Sequence, residues 1–257
     1  MKCSYCINFI IWFSTIVAAQ PADLPIDSLL VQAQQQLDSL QYQKAIDLSQ
    51  KIITTETSNK NLAQAHAIQG DVYREQGQYD QAIAQYHLSK ENSLQLPQQP
   101  SLLSAQAHND LGLCYWRKRE LSTAETSFKE ALTIRLQLLG ATHPKVADSY
   151  NNLGNCAFDK RDLTTARDFY EKALGIREQT LGTDHIDIAS SYNNLGSCYR
   201  LAGQFETAID YFANSLRIRE LQLGKLHPKV AQSCNNLGQC YEPVSYTHLT
   251  LPTKRIV

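Results

Sequence analysis

Residues 149–174 read SYNNLGNCAFDKRDLTTARDFYEKAL, and nearly the same text returns 42 residues later as SYNNLGSCYRLAGQFETAIDYFANSL, residues 191–216. A diverged copy, AHNDLGLCYWRKRELSTAETSFKEAL, precedes them at residues 107–132, and SCNNLGQCY at 233–241 begins another. Self-similarity at one fixed period of this size indicates stacked supersecondary units, each of which buries its apolar face against its neighbours. The period therefore decides the fold.

Further residue series keep the same step of 42. Two of them are glycines: Gly70, Gly112, Gly154, Gly196 and Gly238, and then Gly140, Gly182 and Gly224. Another pairs an alanine with an aromatic residue four positions later: Ala82 with Tyr86, Ala124 with Phe128, Ala166 with Tyr170, and Ala208 with Phe212. Because several residue types agree in register, the repeat is a physical unit and not a chance match.

Each unit contains the pattern of two helices. Between residues 146 and 160, apolar side chains recur at steps of three and four, which predicts a helix with one buried stripe. That stripe consists of Val146, Tyr150, Leu153, Ala157 and Phe158. Residues 163–177 predict a second helix after a polar turn. Gly154 lies inside the first helix, where it costs roughly 1 kcal/mol relative to alanine, so we expect a neighbouring helix to approach it closely.

The linkers between units also repeat. Gly182 follows the second helix, where a left-handed residue is favoured, and Pro144 and Pro228 suit the first turn of a helix. His143, His185 and His227 recur in these linkers, one per repeat. Since no local set of ligands surrounds them, we predict linker residues at helix starts and no metal site.

The helix-turn-helix unit resembles the tetratricopeptide repeat. The family pattern W-x2-L-G-x2-Y, followed by A-x3-F, is matched by YNNLGSCY at 192–199 and by HNDLGLCY at 108–115. The first position departs from tryptophan and holds Tyr, His or Cys. The period of 42, the LGxxHP linkers and the NNLG phrases are similar to the kinesin-light-chain type of this repeat. The resemblance implies an all-α fold, a right-handed α-solenoid of stacked helix-turn-helix repeats.

The period divides the chain into segments. Residues 20–60 are a degenerate first repeat, and their glutamine-rich first helix suits a capping unit whose outer face meets water. Residues 61–242 form the array. Its repeats lie near 61–100, 101–142, 143–184 and 185–226, with an incomplete unit at 227–242.

The N-terminus is typical of a secretory signal peptide. Lys2 supplies a positive charge, residues 7–17 an apolar run, and Ala18 and Ala19 a small-residue cleavage site before Gln20. The apolar run is shorter than the ~20 residues that span a bilayer. We expect residues 1–19 to be removed and the protein to be exported to the periplasm or the extracellular space, with no membrane contact after cleavage. The alternative is a membrane anchor at residues 7–19.

Composition excludes several classes of function. A formal net charge of -1, without blocks of Lys or Arg, argues against nucleic-acid binding. The sequence contains no phosphate loop, HExxH or GxSxG motif, so we predict no catalytic residues and no cofactor. Cys114, Cys156, Cys198 and Cys240 are spaced by 42 and are predicted to be packed thiols.

Paired asparagines are the candidate binding residues. Asparagine is a mediocre helix former, yet the pairs Asn151–Asn152, Asn193–Asn194 and Asn235–Asn236 lie in the middle of first helices, and Asn109 occupies the same place in an earlier one. The resemblance implies that this stripe lines a concave groove. With helices about 10 Å apart and an extended peptide rising ~3.3 Å per residue, one amide could meet every third peptide residue. The alternative is that the asparagines bridge adjacent repeats.

Two variable positions complete the predicted site. Trp116 and Arg200 lie further along the same stripe and are of residue types that dominate binding hot spots, although ordinary packing at a helix end explains them equally well. The sequence thus favours a non-enzymatic scaffold that binds a protein or peptide in its groove. The competing hypothesis is the N-terminal regulatory arm of a larger enzyme, which the resemblance implies would be a caspase-like peptidase of the CHAT type or a signalling kinase.

The C-terminal sequence departs from the 42-residue repeat. An alanine at 250 and an aromatic residue at 254 are expected, but the chain has Thr250 and Lys254, and Pro243 falls inside the predicted helix. VSYTHLTLPTKRIV resembles translated sequencing adapter. We therefore predict that residues 243–257 are not native and that the natural protein continues beyond this fragment.

Overall fold

The computed structural model describes the backbone of residues 25–249 and the side chains of residues 25–242. Within that part of the chain every regular element is an α-helix. In chain order they are α1 Ile26–Asp38, α2 Tyr42–Thr55, α3 Asn59–Glu75, α4 Tyr79–Leu94, α5 Leu102–Arg117, α6 Leu121–Leu139, α7 Pro144–Asp159, α8 Leu163–Leu181, α9 Ile186–Leu201, α10 Phe205–Leu223 and α11 Pro228–Leu249. The predicted signal peptide lies outside the described residues.

The helices form stacked pairs. The most extensive contacts join α3 to α4, α5 to α6, α7 to α8 and α9 to α10, and each pair packs on the next through its second helix. The architecture is a right-handed α-solenoid of helix-turn-helix repeats, which confirms the predicted fold class. Because each unit contacts mainly its neighbours, its apolar face is buried only within the stack.

Short turns join the two helices of a pair. Arg161, between α7 and α8, has a φ of 65°, and its N–H donates to the carbonyl oxygen of Phe158. Gly203 takes the same place in the next unit with a φ of 76°. A left-handed residue at this point terminates the first helix and reverses the chain, so the turn geometry is kept whether the residue is glycine or arginine.

The longer linkers begin with a glycine and end at a helix cap. Gly182 follows α8 with a φ of 78° and a ψ of 155°, a backbone conformation that is essentially restricted to glycine. At the start of α7, His143 Nδ1 accepts a hydrogen bond from the backbone N–H of Lys145, and Pro144 occupies the first turn. The recurring histidines therefore act as helix caps in the linkers, which agrees with the prediction from sequence.

The repeated glycines mark a tight seam between the two helices of each unit. A Cβ atom placed on Gly154 would lie 2.5 Å from the Tyr170 ring, and one on Gly196 would lie 2.9 Å from the Phe212 ring. Gly70 and Gly112 face Tyr86 and Phe128 in the same way. Glycine is therefore required because an aromatic ring lies directly against the helix backbone, as the sequence led us to expect.

The aromatic residue at this seam is tyrosine in some units and phenylalanine in others. The hydroxyl of Tyr170 donates to Asn155 Oδ1, and that of Tyr86 donates to Asp71 Oδ1, both at 2.8 Å. Where the ring is Phe128 the residue at the equivalent position is Leu113, which has no polar group to offer. Each of these two buried hydroxyls thus has an acceptor on the first helix of its own unit.

Two ends of the stack differ from the interior. The pair α1–α2 packs on α3 through a cluster that includes Leu29, Leu37 and Ile52. At the other end, α11 continues past Pro243 to Leu249, although the sequence predicted that the regular array ends at residue 242. Proline removes one backbone hydrogen bond, and the helix extends on either side of it. That residues 243–257 are not native stays a prediction.

Candidate functional site

The inner surface of the solenoid is formed by the first helices of the pairs. Contacts between alternate helices join α1 to α3, α3 to α5, α5 to α7 and α9 to α11, and in the described part of the chain none as extensive joins the even-numbered helices. These contacts indicate that the first helices form the inner side of the stack. We call the surface of α3, α5, α7, α9 and α11 on this side the inner groove.

The asparagines of the inner groove form a ladder of hydrogen bonds between units. Asn152 Nδ2 donates to Asn109 Oδ1, Asn194 Nδ2 to Asn151 Oδ1, and Asn236 Nδ2 to Asn193 Oδ1, each at 3.0 Å. The second asparagine of each pair thus binds the first asparagine of the preceding unit. The bridging role that the sequence left as an alternative is present in the structure.

The ladder leaves part of each amide unused. A primary amide has two N–H donors and a carbonyl oxygen with two lone pairs. Among the described residues, no hydrogen bond engages Nδ2 of Asn151 or Asn193, and none engages Oδ1 of Asn152 or Asn194. These four residues are half-buried. Each of these four residues therefore keeps either an amide nitrogen with two N–H donors or a carbonyl oxygen free in addition to its bridge.

Three buried arginines lie beneath the ladder. Arg135, Arg177 and Arg219 are only 4%, 6% and 4% exposed. Each comes from a second helix, and its guanidinium donates to a serine hydroxyl of the next first helix at 2.8 Å. Those acceptors are Ser149, Ser191 and Ser233. The arginines join successive units from below, as the asparagines do at the surface.

In two of these arginines, the other guanidinium nitrogen, Nη2, contacts the first helix of the same unit. Arg177 Nη2 contacts Asp148 Oδ1 at 2.9 Å, while Arg135 Nη2 donates to Gln106 Oε1 at 3.2 Å. Arg135 Nη1 also approaches Asn109 Oδ1 at 3.4 Å, which connects it to the ladder. This series was not among the residues predicted from the sequence, although its members are spaced by 42.

A shallow depression of about 300 Å³ opens beside the first rung of the ladder. Its wall includes Asn151 and Asn152. The exposed carboxylate of Asp148 and the side chain of Lys145 also line it. The remaining lining residues are Gln106, Asn109, Leu113 and Arg135. The surface is polar and carries both charge signs, which suits hydrogen bonding to a peptide backbone better than binding of a large apolar side chain.

The N-terminal part of the groove has a different character. A depression of about 420 Å³ lies between α1, α3 and α5. Its lining residues are Leu30, Val31, Gln34, Gln64, Ala67, Ile68, Asp71, Ser89, Leu103, Gln106, Ala107 and Asp110. Here Ala67 and Ile68 stand where the later units have paired asparagines, so the ladder stops at Asn109 and an apolar surface begins.

Two carboxylates lie at this transition. Burial raises the pKa of Asp110 to about 7, and the charge of Asp71 contributes in the same direction. Asp110 accepts hydrogen bonds from Gln106 Nε2 and Asn109 Nδ2. Burial also raises the pKa of Asp71, while Arg74, 2.8 Å away, opposes that shift. Asp110 is therefore close to the protonation midpoint at neutral pH.

Trp116 lies at the other side of the groove and binds within the protein. Its Nε1 donates to Asp159 Oδ2 at 2.6 Å, which joins α5 to the end of α7, and Arg119 contacts the same oxygen at 3.0 Å. The indole also borders a small depression of about 210 Å³ that Phe158 and Asn194 line as well. Trp116 thus packs between repeats, and its contact with a ligand stays a prediction.

Arg200 and Asn235 lie toward the last helix. Arg200 is half-buried, and its Nε is a buried atom with no hydrogen-bond partner among the described residues. Asn235 is exposed, whereas Asn236 forms the last rung. The structure therefore brings Asn109, Asn151, Asn152, Asn193, Asn194 and Asn236 into one ladder. Trp116 borders a depression that Asn194 also lines, and neither Arg200 nor Asn235 bonds to the ladder among the described residues.

Among the described residues, no group of three or more His, Cys, Asp or Glu side chains could hold a metal ion. Cys114, Cys156, Cys198 and Cys240 are buried free thiols, as the sequence predicted, and burial raises the pKa of Cys156 to about 12. Between residues 25 and 249, no helix combines the length and apolar character needed to cross a bilayer.

A family model described as "Tetratricopeptide repeat" matches four overlapping segments of the chain, at residues 61–137, 103–179, 146–220 and 187–242. Together these segments extend over more than half of the sequence. No curated protein matches the chain with significance.

Several solved structures share the fold. BtubC (BKLC) from P. vanneervenii superposes with a TM-score of 0.69 at 21% identity, covering 87% of this chain and 85% of that one. A putative kinesin light chain from Podosopora anserina, with nearly identical TPR-like repeats, gives 0.63 at 17% identity and covers 76% and 91%. MamA gives 0.54 at 19% identity and covers 74% and 95%. At these identities the likeness shows the fold, which is that of kinesin-light-chain-like proteins.

Proposed function

The chain belongs to the tetratricopeptide repeat family, and we propose that it holds an extended peptide segment of a partner protein in its inner groove. Arrays of this family generally mediate protein–protein interaction and are typically non-catalytic. The coarse assignment is therefore a protein-interaction scaffold. The groove, the peptide and the residues that contact it are our proposal.

The observation that carries the proposal is the unused hydrogen-bonding capacity of the ladder. Asn151 and Asn193 each retain a free Nδ2 donor, and Asn152 and Asn194 each retain an Oδ1 acceptor. A peptide backbone offers one N–H and one carbonyl per residue, so an extended segment can bind both. Because this pairing is to the backbone, we expect modest sequence preference along the ladder.

Specificity would come from the surroundings of the ladder. The N-terminal depression is apolar and acidic, whereas the depression beside Asp148 and Lys145 carries both charge signs. The two depressions would therefore accept different side chains of the peptide. Trp116 and Arg200 supply further contacts at the far side of the groove. These differences between rungs give a partner peptide a direction and a register.

The test must separate peptide contact from bridging, since both use the same asparagines. An Asn151→Asp/Asn193→Asp variant keeps the Oδ1 acceptors for Asn194 and Asn236 but removes the Nδ2 donors. A peptide-display library is selected against the full chain, and affinities of the selected peptides are measured by fluorescence anisotropy. We expect the double variant to bind at least about 10-fold more weakly, which corresponds to ~1.4 kcal/mol.

The matched control is Asn214→Asp, which makes the same chemical change on the exposed surface of α10. It should leave peptide affinity unchanged. Failure to select any peptide, or equal affinities for the double variant and the unchanged chain, would contradict groove binding through the ladder.

The competing hypothesis of a regulatory arm of a larger enzyme gains no support from the family match or from the neighbours described above. Export is a separate proposal that rests on the sequence of residues 1–19. It is tested by the N-terminal residue of the protein recovered from a secreting host: Gln20 supports cleavage, and Met1 supports the anchored alternative.

A further inference from the structure

The N-terminal depression of the inner groove combines an apolar wall with two carboxylates. Leu30 and Ile68 are buried in its wall, and Val31 is 57% exposed beside them. The carboxylates of Asp71 on α3 and Asp110 on α5 line the same depression of about 420 Å³. None of the described residues that line it is a lysine, arginine or histidine. The depression therefore places negative charge next to a surface that methylene groups can cover.

Asp110 is a buried carboxylate without a cation beside it. It is only 4% exposed, and it accepts hydrogen bonds from two neutral amides, Gln106 Nε2 at 3.0 Å and Asn109 Nδ2 at 3.2 Å. Within the described part of the chain, no cationic side chain forms an ion pair with it. Burial raises the pKa of Asp110 to about 7, because the ionised form loses hydration. An opposite charge placed next to such a buried carboxylate stabilises it.

The same two amides separate Asp110 from a buried guanidinium. Arg135 Nη2 donates to Gln106 Oε1 at 3.2 Å, and Arg135 Nη1 approaches Asn109 Oδ1 at 3.4 Å. Each amide thus accepts from the cation through its oxygen and donates to the carboxylate through its nitrogen. Because the amides stand between the two charges, Arg135 does not pair with Asp110 directly. The side of Asp110 that lines the depression is left for a cation from outside.

Asp71 is only partly neutralised. Its Oδ1 atom accepts from Arg74 Nη2 and from the Tyr86 hydroxyl, both at 2.8 Å. No hydrogen bond from the described residues engages its Oδ2 atom, and the side chain is 25% exposed. The charge of Asp71 contributes to the raised pKa of Asp110, so the two carboxylates act on the same space. A donor in the depression can therefore bind to both.

Later units lack this pair of charges. The equivalents of Asp110 and then of Asp71 in those units are Asn152, Asn194 and Asn236, and Leu113, Asn155 and Ser197. None of these side chains is ionised. Any preference for a cation is therefore confined to one end of the groove.

We propose that the N-terminal depression binds a lysine or arginine side chain of the peptide in the inner groove, an inference that rests on the proposed function. The methylene stem lies against Ile68 and Ala107, and the charged head group binds Asp110 and Asp71. Because units of the stack are about 10 Å apart and an extended peptide advances ~3.3 Å per residue, the basic residue is expected about three residues from the one beside Asp148. This contact fixes the register of the peptide on the ladder.

The first test uses a cation without a peptide, so that it does not depend on the ladder. n-Butylguanidinium is titrated at pH 8 into the isotope-labelled full chain and followed by NMR, beside n-butylurea, which has a similar shape without the charge. We expect saturable shifts of backbone amides in α3 and α5 with the cation, and binding of the urea that is at least about 10-fold weaker. Asp110→Asn, which copies the residue of the later units, should abolish the preference for the cation.

The second test uses peptides selected by display against the full chain. We expect them to share a lysine or arginine, and its replacement by glutamine to weaken binding at least about 10-fold. In the Asp110→Asn protein this replacement should have little effect. The matched control is Asp168→Asn, which neutralises an exposed carboxylate on α8 and should leave the preference for the basic residue unchanged.

The two tests distinguish failure of this proposal from failure of the proposed function. Binding of n-butylguanidinium in the depression, when no peptide can be selected, supports the cation site and contradicts peptide binding along the ladder. Peptides that depend on Asn151 and Asn193 but bind equally well with glutamine in place of the basic residue support the ladder and overturn the cation site. Equal binding of n-butylguanidinium and n-butylurea, or an unchanged preference in Asp110→Asn, also overturns it.

Discussion

Gly196 and Gly238 hold equivalent positions in two first helices, yet they lie in different environments. Gly196 is buried beneath the Phe212 ring, whereas Gly238 is exposed, and a Cβ placed on it would meet no atom of the described residues within 4 Å. The same sequence phrase thus produces a tight seam in one unit and an open surface in the other. What a repeat position contributes depends on whether its neighbouring helix is present, and substitutions at equivalent positions can test this rule.

The largest effect is expected for Gly154→Ala. The added Cβ would lie 2.5 Å from the Tyr170 ring, so the ring or the helix must move. Overpacking of this kind costs up to about 3 kcal/mol, which the gain in helix propensity of roughly 1 kcal/mol for alanine offsets only in part. We expect a lower denaturant midpoint. Gly175→Ala, which meets no neighbouring atom, is the control, and an equal response of the two variants would contradict the seam.

The next effect concerns Asp110, which stands where later units have Asn152, Asn194 and Asn236. Its pKa in the folded protein is about 7, against roughly 3.9 in an unfolded chain. The folded protein therefore binds more protons, and stability falls as the pH rises from about 4 to about 7. Asp110→Asn removes this loss, so we expect a gain of at least about 1 kcal/mol at pH 8.

Urea titrations at pH 5 and pH 8 measure this difference. The control is Asp168→Asn, which neutralises an exposed carboxylate paired with Lys172. Two results would contradict the claim that burial raises the pKa of Asp110. One is equal stability of the unchanged chain at pH 5 and pH 8, and the other is a loss of stability in Asp110→Asn at pH 8.

A smaller effect is expected for Tyr170→Phe. The substitution removes the hydrogen bond to Asn155 but keeps the ring that fills the seam at Gly154. The loss of one such hydrogen bond costs about 1 kcal/mol. Thermal unfolding of Tyr170→Phe and of an Asn155→Leu/Tyr170→Phe double variant, which copies the pair Leu113 and Phe128, measures it. The double variant should recover part of the loss, and no recovery would contradict our account of the two seam types.

The smallest effect is expected at Gly238. Because no atom of the described residues lies within 4 Å of its Cβ position, Gly238→Ala should stabilise α11 by at most about 1 kcal/mol through helix propensity alone. Denaturant unfolding of this variant beside Gly196→Ala gives opposite signs if the comparison holds. A clear loss of stability in Gly238→Ala would show that the face is covered in solution.

The sequence predicts a large part of this fold because its determinants are local. The glycine seam follows from Gly154 and Tyr170, which lie in adjacent helices and recur in register. The bridges of the ladder were open to two interpretations, since they join Asn194 to Asn151 across units. Such pairing depends on how far one unit rotates on the next, which a period does not specify.

The buried arginines were missed for a related reason. Arg177 has the spacing of its series in the sequence, but whether a cation is exposed or buried depends on acceptors from other helices, here Ser191 and Asp148. Asp110 is similar, because its burial and its shifted pKa arise from the packing of α3 and α5. Charged residues inside a stack are predictable only once their neighbours are known.

The unequal contacts of the two helix layers have a mechanical consequence. First helices touch across unit boundaries and are tied by the ladder, whereas second helices have no comparable contacts among the described residues. The spacing between first helices is therefore held more firmly than the spacing between second helices. We expect the solenoid to change its curvature by moving its second helices apart or together, while the first helices keep their spacing.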